Sequence, residues 1–162
     1  EYDLVFFSKN KKIIKKHTNC EVCVSDIALV KMANDKYLTQ EFLKKNGLAY
    51  LKTFVPKNLK EALHDSKKLK LPFILKSRTG TSSRNVHLIK KKYDLVSILP
   101  FVKNPILQEH IGSIKNDLKT EYTCSFFTTK NQKIIGPFVA KRKIVNGTSW
   151  IAEVVNDKKI NN

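Results

Sequence analysis

The sequence predicts a mixed α/β fold of the α+β type, and two patterns carry this prediction. Short apolar segments such as 71–75 and 106–108 have the composition of buried strands. Between them lie stretches with helical spacing of apolar residues, so residues 53–108 follow the order β-α-β-β-α-β. This order predicts a small open sheet with helices on one face. An apolar content of 41% is enough for a folded core.

Residues 1–52 are predicted to contain two short strands followed by two helices. A small polar residue precedes each stretch with helical periodicity, and a glycine follows the second stretch, which are the usual start and stop signals. In order, we expect strands at 3–7 and 20–24, a helix beginning after Ser25, and a helix beginning after Asn34 or Asp35 and ending at Gly47.

The central segment is delimited by helix caps and prolines. Asn58 followed by Glu61 three residues later is the pattern of a helix N-terminus. Pro56 and Pro100 are expected to end the elements before them. The predicted elements are a strand at 53–55, a helix after Asn58, strands at 71–75 and 85–89, a helix at 93–99 and a strand at 106–108.

The last part of the chain is predicted to be antiparallel. Residues 121–128 and 133–139 are typical of a hairpin that turns at Lys130-Asn131, and the second strand can extend to Val145. Asn146-Gly147 is a strong signal for a further turn.

The formal net charge of +17 suggests a polyanionic partner such as a nucleotide, a nucleic acid or an anionic membrane. Specific nucleic-acid readers favour arginine, however, and the arginines are Arg78, Arg84 and Arg142, whereas the lysines are spread along the chain. This pattern favours solvated lysine-rich faces over a dedicated nucleic-acid surface. No apolar run is long enough to cross a membrane.

Cysteine usage predicts a cytoplasmic location. Cys20, Cys23 and Cys124 form an odd set, and no signal peptide precedes them. Cys20-x-x-Cys23 has no second pair at a matching spacing, so we interpret it as structural rather than as a zinc site.

The most informative stretch begins at Lys76, at the end of a strand that is expected to be buried on both faces. Desolvating an ammonium is costly, so an anionic partner is expected there. The small residues 79–83 follow, with Gly80 to relieve the turn and backbone N–H groups that can approach a phosphate. Because the lysine precedes the loop, this is not a Walker loop. The alternative is an ordinary hairpin loop with an exposed lysine.

Two further segments can contact the rest of a nucleotide. Gln108-Glu109 lie at the end of an apolar strand, which can offer a backbone N–H and C=O to the edge of a base. Glu121 heads another strand, and a carboxylate there can bind ribose hydroxyls. The alternative is that both glutamates are solvated surface residues.

Four segments occur in a diagnostic order: Asp35-Lys36 with the helix up to Gly47, Leu71-Pro-Phe-Ile-Leu-Lys76, Ile106-Leu-Gln-Glu109 with Glu121, and Gly147-Thr-Ser-Trp150. Together they resemble motifs of the ATP-grasp superfamily, in particular the carbamoyl-phosphate-synthase large-subunit-like ligases, over nearly the whole chain. Ser77 stands where the family usually has proline. The resemblance implies a partial ATP-grasp fold, with a β-α-β-β-α-β lid and part of an antiparallel core sheet.

The resemblance implies a domain plan and a role for each matching residue. Residues 1–30 would end a preceding α/β domain, 31–52 would be linking helices, 53–108 the lid, and 109–162 a truncated part of the core. The implied roles are phosphate-binding cations for Lys36 and Lys76, a phosphate-covering loop for Thr81, Ser82 and Ser83, an adenine hinge for Glu109 with the backbone of His110 and Ile111, ribose binding for Glu121, and a catalytic contact to the γ-phosphate or an acyl-phosphate for Arg142.

The implied activity is that of an ATP-dependent carboxylate-amine ligase, or a similar ligase, acting through an acyl-phosphate. ATP and a small carboxylate would be its ligands. The family's late Glu-x-Asn-x-Arg motif, which holds Mg²⁺, does not follow, and the only late acids are Glu153 and Asp157. We therefore expect the Mg²⁺ ligands to lie outside this chain and the chain alone to be a fragment without activity. The alternatives are a degenerate or regulatory ATP-binding domain and a basic nucleic-acid-binding module.

Overall fold

A computed structural model of the chain describes residues 2–80, 85–111, 121–145 and 148–156. The chain divides into two units, Glu1–Ile111 and Gly112–Asn162. The predicted plan of four segments, with its boundary between residues 108 and 109, stays a prediction. Among the described residues, no helix has the length and apolar content needed to cross a bilayer.

The first unit begins with three helices, α1 (Tyr2–Thr18), α2 (Ile27–Asn34) and α3 (Lys36–Lys45). The strand predicted at 3–7 is wrong because this segment is the first part of α1. A short apolar run does not distinguish a strand from a helix, and here the helix continues through a polar stretch with Lys15, Lys16 and His17 in its last turn, where basic side chains are favoured.

The predicted strand at 20–24 is also wrong, since residues 19–26 have no regular secondary structure. The carbonyl of Ser25 accepts a hydrogen bond of 2.8 Å from Ser8 Oγ, which ties this segment to α1. Asp26 rather than Ser25 occupies the N-cap position of α2. The segment is therefore fixed by contacts with a helix rather than by strand pairing.

Both ends of α3 agree with the sequence signals. Asp35 is its N-cap, and Oδ1 accepts hydrogen bonds from the backbone N–H groups of Tyr37 and Leu38 at 3.0 and 3.1 Å. Gly47 follows the C-cap with a φ of +68°, a left-handed conformation that glycine adopts without strain. These local signals fix Lys36 as the first residue of the helix.

A four-stranded antiparallel sheet follows, in the predicted β-α-β-β-α-β order. Its strand order is β1-β4-β2-β3. The helix α4 begins after Asn58, whose side chain accepts from the Glu61 N–H at 2.9 Å as the capping pattern predicted. The elements are β1 (Thr53–Phe54), α4 (Leu59–Ser66), β2 (Phe73–Ser77), β3 (Val86–Ile89), α5 (Lys92–Ile98) with a 3-10 turn (Leu99–Phe101), and β4 (Pro105–Glu109).

One face of this sheet packs against α4 and α5. The core cluster contains Ala62, Leu69, Phe73, Leu75, Ile89, Leu95, Val102 and Leu107. The other face of β2 carries Ile74 and Lys76, which are only partly buried. The expectation that β2 is buried on both faces therefore holds in full for the core face and only in part for the other, where Ile74 and Lys76 are partly exposed although Ile106 and Gln108 beside them on β4 are buried.

The second unit is a three-stranded antiparallel sheet of β5 (Glu121–Thr128), β6 (Ile134–Val145) and β7 (Thr148–Val154), in that order. The predicted hairpin is confirmed, and β6 runs to Val145 as expected. The predicted turn at residues 146–147 lies outside the described residues. The strand β7 was predicted only as a motif segment, and its exposed side chains lack the alternation that indicates a strand.

The core predicts a strong dependence of stability on Leu75, whose side chain is 0% exposed. Leu75→Ala leaves a cavity under the central strand and should lower the free energy of unfolding by about 2–5 kcal/mol. Urea unfolding followed by circular dichroism measures this loss. The matched control is Leu4→Ala on α1, where Leu4 is 46% exposed and little change is expected. Equal effects of the two substitutions would contradict the assigned core.

Candidate functional site

Lys76 lies on the face of β2 that points away from the core. Its Nζ donates a hydrogen bond of 2.6 Å to Oε1 of Gln108 on the neighbouring strand β4. The acceptor is a neutral amide, which orients the ammonium without balancing its charge. Among the described residues, this half-buried lysine therefore has no group that balances its positive charge.

The Gln108 side chain is the middle member of a row of hydrogen-bonded side chains that crosses β2, β4 and β1; we call this row the polar ladder. Its side chain is buried, with the residue 3% exposed, and Nε2 donates to Thr53 Oγ1 at 2.8 Å. Thr53 Oγ1 donates in turn to the Leu51 carbonyl at 2.8 Å. Both the oxygen and the nitrogen of the Gln108 amide have a hydrogen-bond partner, so the amide is held with its oxygen toward Lys76. The sequence signal for this role was a single polar residue inside an apolar strand.

Lys36, the second predicted phosphate-binding cation, begins α3. Its Nζ donates to the Gly80 carbonyl at 2.7 Å, and its backbone N–H donates to the Arg78 carbonyl at 3.0 Å. Burial lowers the pKa of Lys76, and the charge of Lys36 lowers it further. The structure thus brings the two predicted lysines close enough for the charge of Lys36 to disfavour the charged form of Lys76.

Arg78 and Asp35 form an ion pair beside the two lysines. Arg78 Nε lies 2.8 Å from both carboxylate oxygens of Asp35. The guanidinium carbon is 5.2 Å from the centre of the Tyr37 ring. Sequence reasoning did not single out Arg78, and no local pattern could have found a contact that joins positions 43 residues apart.

The charges in this cluster do not balance. The Asp35 carboxylate is already engaged by Arg78 and by the N-terminus of α3. Within the described parts of the chain, neither Lys36 nor Lys76 forms an ion pair. An anion such as a phosphate would supply the charge that the described residues do not provide.

The predicted phosphate-covering residues Thr81, Ser82 and Ser83 lie outside the described residues. The described part of the turn ends at Gly80, which has a φ of +110°, a conformation that favours glycine. Its carbonyl is the group that Lys36 contacts. The role of the loop stays a prediction.

The predicted adenine hinge begins where β4 ends. Glu109 Oε1 accepts from the Lys52 backbone N–H at 2.8 Å, and the Glu109 N–H donates to the Lys52 carbonyl at 3.0 Å. The carboxylate therefore closes the end of the β1–β4 pair. His110 and Ile111 continue beyond the strand, and Ile111 is 71% exposed.

In the second unit, Glu121 and Arg142 are opposite each other in the register of β5 and β6. Arg142 Nη2 is 3.7 Å from Glu121 Oε2, and Nη1 donates to Ser149 Oγ at 3.2 Å. Arg142 Nε is buried and has no hydrogen-bond partner among the described residues. The sequence predicted both residues as site residues but not that they pair.

No metal cluster is found in the described ranges, where no three His, Cys, Asp or Glu side chains come together. Glu153 lies opposite Lys141 in the register of β6 and β7, and Asp157 lies outside the described ranges. The cysteines Cys20, Cys23 and Cys124 are free and exposed.

No protein-family model matches the sequence, and no curated protein matches it. Solved structures do match. Carboxyaminoimidazole ribonucleotide synthase from Aspergillus clavatus, complexed with ATP, has a TM-score of 0.71 at 16% identity over 95% of this chain and 40% of that chain. N5-carboxyaminoimidazole synthetase from Staphylococcus aureus, complexed with ADP, has a TM-score of 0.67 at 16% identity over 88% of this chain and 37% of that chain.

A biotin carboxylase domain is similar to the same extent. The domain of 2-oxoglutarate carboxylase from Hydrogenobacter thermophilus, in complex with MgADP, ADP and bicarbonate, has a TM-score of 0.69 at 14% identity over 91% of this chain and 35% of that chain. This chain therefore spans somewhat more than a third of the length of these proteins. At these identities the likeness establishes the fold, and the chain has a partial ATP-grasp fold, as its sequence motifs predicted.

Proposed function

We propose that Lys36 and Lys76 bind the phosphates of ATP. The observation that carries this proposal is the proximity of two ammonium groups that have no carboxylate partner among the described residues, one of them half-buried against the neutral amide of Gln108. Two solvated surface lysines would not need a buried amide ladder to orient one of them. The ADP and ATP complexes among the proteins that share the fold lend support.

The energetics of Lys76 agree with an anion site. Burial and then Lys36 lower its pKa from 10.5, so the folded chain binds this proton less tightly than the unfolded chain does. Stability therefore rises with pH between the lowered value and 10.5, and below that interval the charged Lys76 opposes folding. A bound polyphosphate would reverse both effects, because it attracts the two ammonium groups and offsets their repulsion.

The remaining contacts to ATP are proposed from the resemblance. The backbone of His110 and Ile111, beyond the end of β4, would contact the adenine edge, with Glu109 fixing the end of the strand. Glu121 would bind the ribose hydroxyls, and Arg142 would be the catalytic residue at the γ-phosphate or acyl-phosphate. Its buried, unpartnered Nε in the described structure is a donor that such an anion can use.

For the whole protein we propose an ATP-dependent carboxylate-amine, or similar, ligase of the cytoplasm. A carboxylate oxygen attacks the γ-phosphorus, ADP leaves, and the nucleophile then displaces phosphate from the acyl-phosphate. Lys36 and Lys76 hold and neutralise phosphate oxygens through these steps. The described residues do not fit a Mg²⁺ site, because they offer no cluster of carboxylates. Any Mg²⁺ ligands are proposed to lie outside this chain, which is expected to be inactive alone.

Replacing Lys76 tests the phosphate contact in the 162-residue chain. Lys76→Met removes one charge-assisted contact, worth about 1.5–3 kcal/mol, and should weaken ATP binding by about 10-fold to 100-fold. Titration calorimetry measures the affinities for ATP and for AMP, and the loss should be larger for ATP. Lys60→Met on the exposed side of α4 is the control for net charge.

The result also separates the alternatives. An equal loss in the Lys60→Met and Lys76→Met chains, with tight and salt-sensitive binding of a DNA duplex, would favour the nucleic-acid module over the nucleotide site. Selective loss in Lys76→Met with no turnover in the complete protein would favour a regulatory ATP-binding domain.

Changing the partner of Lys76 gives a second prediction. Gln108→Glu is nearly isosteric and places a carboxylate 2.6 Å from the ammonium, so it balances the charge that phosphate would balance. We expect weaker binding of ATP and of inorganic tripolyphosphate, unchanged binding of adenosine, and a melting temperature that is not lowered. Calorimetry and thermal unfolding measure these quantities, and undiminished tripolyphosphate binding would argue against the site.

A further inference from the structure

We propose that Arg78 is a positioning residue, and that its ion pair with Asp35 holds Lys36 beside Lys76. Asp35 immediately precedes Lys36, and Arg78 follows Lys76 by two residues. The ion pair therefore connects the backbone beside Lys36 with the backbone beside Lys76. The consequence for ATP rests on the function proposed above, whereas the effect on the two lysines does not.

The geometry of Arg78 links three elements. Its Nε lies 2.8 Å from both carboxylate oxygens of Asp35 at the start of α3. Its backbone carbonyl accepts from the Lys36 N–H at 3.0 Å, and its backbone N–H donates to the Asn104 carbonyl, just before β4, at 2.8 Å. Side chain and backbone of one residue thus fix the end of β2 against both α3 and the start of β4.

The ion pair is shielded enough to hold this geometry. The side chains of Arg78 and Asp35 are 30% and 15% exposed, and the guanidinium also lies against the Tyr37 ring. An exposed pair of long side chains contributes little, but a partly buried one that also caps a helix restricts motion more strongly. The motion of the Lys36 backbone is restricted as well, because Lys36 is the first residue of the helix that Asp35 caps.

The titration of the pair is consistent with this arrangement. The hydrogen bond that Arg78 donates to Asp35 raises the pKa of Arg78. Burial tends to raise the pKa of Asp35, but the hydrogen bonds from Arg78 and from the Leu38 and Tyr37 N–H groups lower it overall. The ionised Asp35 thus stabilises the fold. This contribution is fully present above pH 3.8, the ordinary pKa of the carboxyl group, and is lost as the pH falls through the lower pKa of the folded state.

A purely stabilising role and a positioning role predict different results for Arg78→Lys. The substitution keeps the charge but loses the planar fork, so the direct field at Lys76 is unchanged. If Arg78 positions Lys36, the two ammonium groups separate and the pKa of Lys76 rises toward the ordinary value of 10.5. NMR titration of ¹³C-labelled lysine side chains measures this pKa, and the Lys76→Met chain identifies the signal.

Asp35→Asn separates the effect of positioning from the effect of charge, because the two predict opposite changes in the affinity for tripolyphosphate. Asparagine keeps the oxygen that caps α3, so the helix start should survive. The substitution makes the site more positive, so charge alone predicts tighter binding of inorganic tripolyphosphate, whereas lost positioning predicts a decrease of about 10-fold, about 1.4 kcal/mol. The matched control is Asp65→Asn, which removes a similarly shielded carboxylate of α4 from its ion pair with Lys68 and should leave binding unchanged.

An unchanged Lys76 pKa in the Arg78→Lys chain overturns the positioning role, whether or not ATP binds. Equal or tighter tripolyphosphate binding by the Asp35→Asn chain overturns it as well. If the parent chain binds neither ATP nor tripolyphosphate, the proposed function fails, and the Lys76 pKa in the Arg78→Lys chain still decides the positioning role.

Discussion

A half-buried ammonium held by a neutral amide is the interaction on which the site depends. Lys76 donates to Gln108, which is itself fixed by Thr53, so the charge is oriented without being balanced. This arrangement requires the register of the sheet, in which Ile74 and Thr53 both lie opposite Gln108. A slip of one residue would turn Gln108 into the core and Leu107 out of it, so core packing and the binding face enforce the same register.

The second ammonium group of the site, that of Lys36, is placed by a helix rather than by the sheet. Lys36 belongs to a helix that is distant in sequence from β2, and it reaches the cluster because Asp35 caps the helix and pairs with Arg78. The cost of the site is electrostatic, since burial and the proximity of Lys36 both disfavour the charged form of Lys76. Charges that oppose folding and have no partner in the described structure are more typical of a binding site than of a structural ion pair.

Local signals in the sequence predicted much of the framework. The Asn58 cap, the glycine after α3 and the order of the central elements follow from residue types at short spacing, whereas the pair of lysines was expected from the family resemblance. The N-terminal helix was missed because its first residues are as apolar as a strand. The ion pair of Arg78 and the hydrogen bond from Lys76 to Gln108 could not be predicted, because each joins positions tens of residues apart that only the sheet register and helix docking bring together.

Proton uptake on ATP binding tests the central claim most directly. Calorimetric titrations in two buffers of different ionisation enthalpy, at a pH just below 10.5, report the protons exchanged. Because a bound polyphosphate should restore the lowered pKa of Lys76, the account predicts clearly larger net proton uptake by the parent chain than by the Lys76→Met chain. Binding without proton uptake, or equal uptake by the two chains, would contradict it.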